Sequence, residues 1–178
     1  MNKKAAFLNV AALAVAGLAS QGAFAFDGQV NFTGSIVDTP CSIAPSSQNM
    51  TVPLGNVSNA SMTGIGKKST PAKFTINLTS CGATAKGATV TFSGPTDGNG
   101  NLTLANAGTV GAVASAGGVA VEIDDSSGAK ISVGQASSSY ALGQGDNALQ
   151  FQAAYIATAA TVKSGPANAV AQFTVAYN

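Results

Sequence analysis

Few residues of this chain have side chains that transfer protons or bind metals. The 178-residue sequence contains eight Lys, six Asp and one Glu, but no His, Arg or Trp. His is the side chain best suited to proton transfer at neutral pH, so its absence argues against acid–base catalysis. We therefore expect a protein that is not an enzyme and that holds no cofactor and no metal.

The acidic residues cluster at one place, formed by Glu122, Asp124 and Asp125. Such a cluster could be a catalytic carboxylate pair or a set of calcium ligands. It lacks the spacing of a calcium-binding EF-hand loop and is followed directly by Ser126-Ser127-Gly128. We interpret it as a solvated turn.

The basic residues form no patch. Lys67 and Lys68 are interpreted as part of a solvated loop, and the formal net charge is only +1. Nucleic acid is not expected as a partner, because no group of cations is present to neutralise phosphates. The glycine-rich stretch 94–100 matches neither of the common phosphate-binding patterns.

The first 25 residues have the three parts of a secretory signal peptide. Lys3 and Lys4 provide a basic start, an apolar run covers residues 5–19, and Ala23-Phe24-Ala25 is a cleavage site. The apolar run is shorter than the roughly 20 residues that a membrane span needs, so we expect no membrane insertion. Removal of residues 1–25 leaves 178 − 25 = 153 residues, which suits one domain.

Two cysteines, Cys41 and Cys81, lie in the part that would be exported. In an oxidising compartment a disulfide is the default expectation, and a reactive thiol or a metal site is the alternative. The absence of His and of a C-x-x-C pattern argues against both alternatives. A bridge across this spacing would contribute roughly 4 kcal/mol by loop closure.

The rest of the chain is predicted to form short strands separated by turns. Apolar and polar residues alternate with a period of two in the segments 30–36, 74–78, 90–92, 119–123, 149–155 and 173–177. Turn residues cluster at 94–100, 124–128 and 143–147. No helical periodicity follows residue 26, and 105–120 is interpreted as a loop followed by a strand. This pattern predicts an antiparallel sandwich or barrel.

The two ends of the exported part are unusual. Val30, Phe32, Gly34 and Ile36 share one face of an extended segment that precedes the strand-breaking Pro40. This segment could be an ordinary first strand, but its terminal position favours a looser role. The final strand runs to Asn178, so we expect it to leave a sheet edge and a hydrophobic groove open.

These residues resemble the pilins of chaperone–usher fimbriae, especially type 1-like subunits. The resemblance rests on the first segment followed by Cys41, on Cys81 forty positions later, and on two further patterns. Those patterns are Phe151-Gln152-Ala153-x-Tyr155 after Leu142-x-x-Gly145-x-Asn147, and the closing run from Gly165 to Tyr177. Many family members have a basic residue where this chain has Ala154.

The resemblance implies an all-β fold, an incomplete immunoglobulin-like sandwich that lacks its last strand and is completed in trans. It implies a signal peptide over 1–25, an N-terminal extension that serves as donor strand over 26–38, and a pilin domain over 39–178. The implied donor residues are Val30, Phe32, Gly34 and Ile36. The implied acceptor groove and chaperone-recognition residues are Gly165, Phe173, Val175, Tyr177 and Asn178.

The implied function is that of a structural fimbrial subunit that polymerises by donor-strand exchange and supports cell adhesion. The implied partners are identical or related pilin subunits, a periplasmic chaperone and an outer-membrane usher. The chain would pass through the periplasm to an extracellular fimbrium. The alternatives are a minor or tip adapter pilin and a single-domain secreted module that binds in the manner of an adhesin.

Overall fold

The computed structural model describes residues 28–34, 40–105 and 115–178. The predicted signal peptide, the donor residue Ile36 and the predicted domain boundary at residues 38–39 lie outside these ranges. The chain divides into two units, residues 1–36 and 37–178.

In the first unit, residues 28–34 form neither a helix nor a strand. The side chains of Val30 and Phe32 are 75% and 93% exposed. The strand predicted from the alternation at 30–36 is therefore not formed by its described residues in this single chain. Val30 and Phe32, which contribute to the alternation, face solvent instead.

The described residues of the second unit form eight strands and two short helical turns. The strands are β1 (Ser42–Ile43), β2 (Ala72–Cys81), β3 (Gly87–Ser93), β4 (Val119–Asp125), β5 (Lys130–Ile131), β6 (Tyr140–Ala141), β7 (Gly145–Ala157) and β8 (Gln172–Tyr177). The turns are α1 (Pro45–Gln48) and a 3-10 helix (Asn59–Met62). One antiparallel sheet has the spatial order β1-β2-β7-β4-β5, and the other has the order β6-β3-β8.

The long strands lie where the period-two alternation predicts them, and the short elements were not predicted. The strands β1, β5 and β6 have two residues each, too few to show an alternation. The predicted turn at 143–147 is wrong in its second half, because β7 begins at Gly145. Gly145 has a φ of +92°, so its lack of a side chain allows the chain to turn and enter the strand at the same residue.

The alternation places one face of each long strand in the core. Ile76 and Leu78 of β2 are fully buried while Asn77 between them is exposed, and Leu149 and Phe151 repeat this on β7. β2 and β7 pair with Phe74 opposite Phe151. Each buried Ile, Leu or Phe side chain contributes about 1.5–3 kcal/mol, so these two strands form the centre of the fold.

Aromatic rings join the two sheets. Phe92 of β3 meets Phe151 of β7 edge to face with ring centroids 5.2 Å apart, and Tyr140 of β6 meets the same ring at 5.3 Å. Phe74 stacks on Phe151 from the neighbouring strand at 5.5 Å. Since Phe151 contacts three rings, it fixes the smaller sheet over the larger one.

The predicted disulfide between Cys41 and Cys81 is present. Both cysteines are buried, and next to them the N–H of Gly82 donates to the carbonyl of Pro40 at 2.8 Å. The bridge therefore holds the start of the domain against the end of β2, beside the short β1–β2 pairing.

The interpretation of the acidic cluster as a solvated turn is wrong for two of its three residues. Glu122 and Asp124 lie within β4, and only 3% and 4% of their surfaces are exposed. Both carboxylates have Lys68 as their partner, a residue that the sequence predicts in a solvated loop. The Lys68 ammonium contacts Glu122 and lies 3.4 Å from Asp124 Oδ2. Lys130 Nζ lies 3.4 Å from Glu122 Oε2.

Asp125 does lie at the turn, where its carboxylate accepts hydrogen bonds from the N–H groups of Ser127 and Ala129.

A small residue on β7 makes room for this ion pair. Ala154 is buried and pairs with Glu122 across the β4–β7 ladder, and Lys68 forms a bridge with Ile156 on the other side of β7.

The pair perturbs the pKa of each member. Burial acts to raise the pKa of Glu122, but the hydrogen bond and charge of Lys68, together with the hydrogen bond to Asp124 and the charge of Lys130, hold the pKa below its ordinary value. Burial and the charge of Glu122 raise the pKa of Asp124. The hydrogen bond to Glu122 raises the pKa of Lys68. Hence the Glu122 carboxylate is the ionised partner of Lys68.

Replacing Glu122 by Gln tests this network. A lowered pKa means that the charged form stabilises the fold above the ordinary value of 4.5, and that this stability is lost as pH falls through the lowered pKa. We expect Glu122→Gln to lower the free energy of unfolding by about 1–3 kcal/mol at pH 7. The difference between the two proteins should shrink near pH 3. Urea unfolding followed by circular dichroism measures it.

Lys67→Met is the matched control, because Lys67 is exposed beside Lys68 and no ion pair involves it within the described ranges. It should change the free energy of unfolding by less than about 0.5 kcal/mol. A Glu122→Gln effect of the same size at both pH values would contradict an ionised Glu122.

Candidate functional site

Strand β8 has a neighbour on one side only among the described strands. It pairs with β3 from Tyr177 opposite Ala88 to Gln172 opposite Ser93. Asn178 and Gly87 exchange two backbone hydrogen bonds of 2.9 Å. Because bonded and non-bonded pairs alternate in an antiparallel ladder, the even-numbered residues of β8 direct their backbone groups towards β3. The odd-numbered residues direct theirs to the open side.

The same alternation continues through the segment before β8. The carbonyl of Pro166 accepts from Ala116 N–H at 2.9 Å, and that of Asn168 accepts from Ala105 N–H at 2.6 Å. The backbone groups of Ala167, Ala169 and Ala171 therefore point to the open side, in line with those of β8. We call residues 165–177 the β8 wall.

A groove of about 630 Å³ runs beside the β8 wall. Residues 50–56 form its other side, which we call the opposite wall. Within the described ranges, the backbone of the opposite wall makes no hydrogen bond to another strand. The floor between the walls consists of core side chains: Phe74, Ile76, Phe92, Leu102, Val121, Ile123, Ala153 and Tyr155. The groove is an apolar slot with unpaired backbone groups along both sides.

A second cavity of about 470 Å³ continues from one end of the groove. Both cavities are lined by Gly55, Asn56, Tyr155, Ala167 and Asn168. The second cavity has a more polar lining that includes Asn59, Lys163 and Ser164.

Tyr155 stands at the junction of the two cavities. Its hydroxyl donates a hydrogen bond of 2.8 Å to the carbonyl of Ala167. Burial raises the pKa of the Tyr155 phenol above its ordinary value, so the hydroxyl remains a donor near neutral pH. This bond links the floor of the groove to the β8 wall.

The groove is suited to bind an extended peptide. A strand placed between the walls would pair its backbone with both of them and would direct every second side chain onto the apolar floor. Such a slot offers groups for binding but no pair of groups for acid–base chemistry. In the part of the chain that the structure describes, no three His, Cys, Asp or Glu residues come together as metal ligands. The described helices are too short to cross a membrane.

The predicted acceptor residues all lie along this edge, at different places. Phe173 lines the groove and Gly165 lines the second cavity. Val175 and Tyr177 are half-buried and pack against the core further along β8. Asn178 lies beyond them, and its carbonyl accepts from the N–H of Gly87 at 2.9 Å.

The sequence did not predict the opposite wall or the role of Tyr155. In residues 50–55 the half-buried Met50, Val52 and Leu54 alternate with exposed residues, and this alternation is the signal that indicates an extended segment there. Pro53 and Gly55 within the same stretch are typical of turns and weaken that signal. For Tyr155 the sequence indicates only a place in the Phe151-Gln152-Ala153-x-Tyr155 pattern. Its position at alternating spacing after Phe151 and Ala153 indicates a floor residue, but the partner Ala167 is not evident from spacing.

Comparisons with known proteins agree with this architecture. Residues 30–178 match the family model described as fimbrial protein. The chain is 40% identical over 154 residues to the Fimbria A protein of Serratia marcescens, covering 84% of each chain. Among solved structures it is similar to a type I fimbria protein and antigen of Burkholderia pseudomallei, with 39% identity, a TM-score of 0.59, and coverage of 84% of this chain and 97% of that one.

A second solved structure supports the fold. A subunit from a chaperone–usher pilus whose structure addresses rod uncoiling is 27% identical, with a TM-score of 0.67, and the match covers 86% of this chain and 96% of that one. The predicted all-β, antiparallel, immunoglobulin-like pilin fold is confirmed. The match over nearly the whole chain also confirms a structural protein and not an enzyme. On these grounds the chain belongs to the fimbrial protein family.

Proposed function

We propose that this fimbrial subunit polymerises by donor-strand exchange. In each joint, the N-terminal segment of one subunit enters the groove of a second copy or of a related pilin. Val30, Phe32, Gly34 and Ile36 would face the groove floor. The observation that carries the proposal is the groove itself, with its apolar floor and its unpaired backbone groups on both walls.

The N-terminal segment has the chemistry that the groove requires. Val30 and Phe32 are exposed in the single chain, and the intervening Asn31 and Thr33 are polar. If inserted, the large apolar side chains would each contribute about 1.5–3 kcal/mol, and the backbone would gain a ladder on both sides. Gly34 would allow close approach of the backbone to the floor, because it has no side chain.

Each subunit would be a donor on one side and an acceptor on the other. Such a contact is heterologous and does not close on itself, so it generates a filament. Residues 26–38 would then be the donor segment and 39–178 the acceptor domain. The product would be an extracellular fimbrium that supports cell adhesion.

An open groove also requires protection before assembly. An exposed apolar slot with unpaired edges promotes aggregation. A periplasmic chaperone that lends a strand to the groove and binds near Asn178, followed by transfer at an outer-membrane usher, would satisfy this requirement. Val175 and Tyr177, which are half-buried on the open edge, would take part in such a contact.

Replacing Phe32 by Asp tests the donor side. A carboxylate on the apolar floor without a partner is strongly unfavourable, so we expect the amount of surface fibre and of SDS-resistant oligomer to fall by about tenfold or more. The folded domain should be unaffected. Asn31→Asp is the matched control, since its side chain would face away from the floor. Wild-type fibre from Phe32→Asp would refute the proposal, as would normal assembly after deletion of residues 26–35.

Replacing Ala169 by Trp tests the acceptor side. Ala169 lines the groove, and a large side chain there would occupy the space of the incoming strand and keep its backbone from pairing with the β8 wall. We expect Ala169→Trp subunits to donate but not to accept. When they are mixed with Phe32→Asp subunits, which can accept but not donate, only dimers should form. On SDS gels of unboiled samples we expect a dimer band and no series of larger oligomers. Gln172→Trp, at an exposed position outside the groove, should assemble normally; full-length ladders from Ala169→Trp alone would argue against this groove.

A further inference from the structure

The open edge of the β8 wall is not uniform. Its outward-pointing backbone carbonyls belong to the odd-numbered residues from Ala167 to Tyr177, by the alternation described above. Among the described residues, the carbonyl of Ala167 alone in this row has a hydrogen-bond partner, the Tyr155 hydroxyl at 2.8 Å. Those of Ala169, Ala171 and the odd-numbered residues of β8 are open.

Tyr155 is placed where the groove changes character. Its side chain lines both the apolar groove and the more polar second cavity. The bonded carbonyl of Ala167 lies at the same junction, since Ala167 also lines both cavities. At the boundary between the groove and the second cavity, the Tyr155 hydroxyl therefore already bonds to one of the backbone carbonyls on the open edge of the β8 wall.

We propose that Tyr155 is a positioning residue that ends the ladder of the groove at Ala169 and thereby sets the register of the inserted strand. This inference rests on the proposed donor-strand exchange. An incoming N–H would have to share the Ala167 carbonyl with the Tyr155 hydroxyl, which already uses part of its accepting capacity, whereas the odd-numbered carbonyls from Ala169 onward accept no hydrogen bond among the described residues.

The apolar floor alone does not fix the register of the inserted strand, so a group that ends the ladder at one point is needed. A slip by one residue would turn the polar residues of the donor onto the floor, which burial opposes. A slip by two residues keeps the same face inward and changes only which apolar side chain meets which part of the floor. Because the Ala167 carbonyl at one end of the row is already bonded to Tyr155, registers that differ by two residues would differ in the number of backbone hydrogen bonds that the inserted strand can form.

Cysteine crosslinking in assembled fibres reads the register directly. Thr33→Cys would place a thiol on the outward face of the donor, opposite to the face of Phe32. On the β8 wall the outward-facing, exposed positions for a second cysteine are Asn168, Val170, Gln172 and Thr174. Directly opposed residues on neighbouring strands have Cβ atoms about 4.5–5.5 Å apart. In subunits that carry only Thr33→Cys and one wall cysteine, the crosslink should therefore form mainly with the cysteine at one of the four wall positions.

Tyr155→Phe frees the Ala167 carbonyl and keeps the ring. We expect the crosslink to shift in part to the wall position two residues lower in number. Tyr140→Phe is the matched control: its hydroxyl also donates to a backbone carbonyl, that of Gln150 at 2.8 Å, but it does not line the groove. It should leave the crosslink unchanged. A residue that only stabilises the fold would lower the total yield without moving the crosslink.

The outcomes separate the two proposals. An unchanged crosslink position in Tyr155→Phe fibres overturns the role of Tyr155 and leaves donor-strand exchange intact. No crosslink at any wall position, in fibres with Tyr155 present, overturns donor-strand exchange and the inference with it.

If Tyr155→Phe subunits fail to accumulate, the inference can still be tested on fibres of the unsubstituted chain. Hydrogen exchange on fibres of the unsubstituted chain should show protected amides at Ala169 and Ala171 and an unprotected amide at Ala167. The N–H and C=O of one residue point to the same side, so a ladder that passes the Tyr155 hydroxyl would protect Ala167. Protection of Ala167 would therefore overturn the inference.

Discussion

A strand edge that is unpaired among the described strands, beside an apolar groove, is the constraint on which the rest of this molecule depends. Backbone N–H and C=O groups that are neither bonded to protein nor freely hydrated destabilise a fold. Here they line both sides of a slot whose floor includes Ile76, Val121 and Ile123. The domain is therefore built around a position that a further strand would fill. In the proposed function, a strand from another subunit fills that position.

The remaining structure keeps the slot open. The Cys41–Cys81 bridge and the β1–β2 pairing hold the start of the domain on one side, and the β3–β8 ladder holds the β8 wall on the other. Phe151 fixes the distance between the sheets through its contacts with three other aromatic rings. A collapse of the walls onto the floor would have to break one of these connections.

Much of this could be predicted from local sequence, because a strand with one buried face leaves an alternation in its own residues. The segments around Ile76, Leu149 and Phe173 were found in that way, and the cysteines predicted the disulfide. The burial of Glu122 and Asp124 could not be predicted, since their partner Lys68 lies more than 50 positions away along the chain. The opposite wall is not predicted, although Met50, Val52 and Leu54 alternate there with exposed residues. Pro53 and Gly55 are typical of turns, and the described backbone of this segment pairs with no strand.

Thermal unfolding of the Phe32→Asp chain, with and without a synthetic peptide of residues 26–38, tests the central claim most directly. This chain keeps its groove but lacks an effective donor. The account predicts that saturating wild-type peptide raises the melting temperature by about 10 °C, and that a peptide carrying the same Asp does not. An identical melting temperature with both peptides would contradict an acceptor groove that is completed by the N-terminal segment.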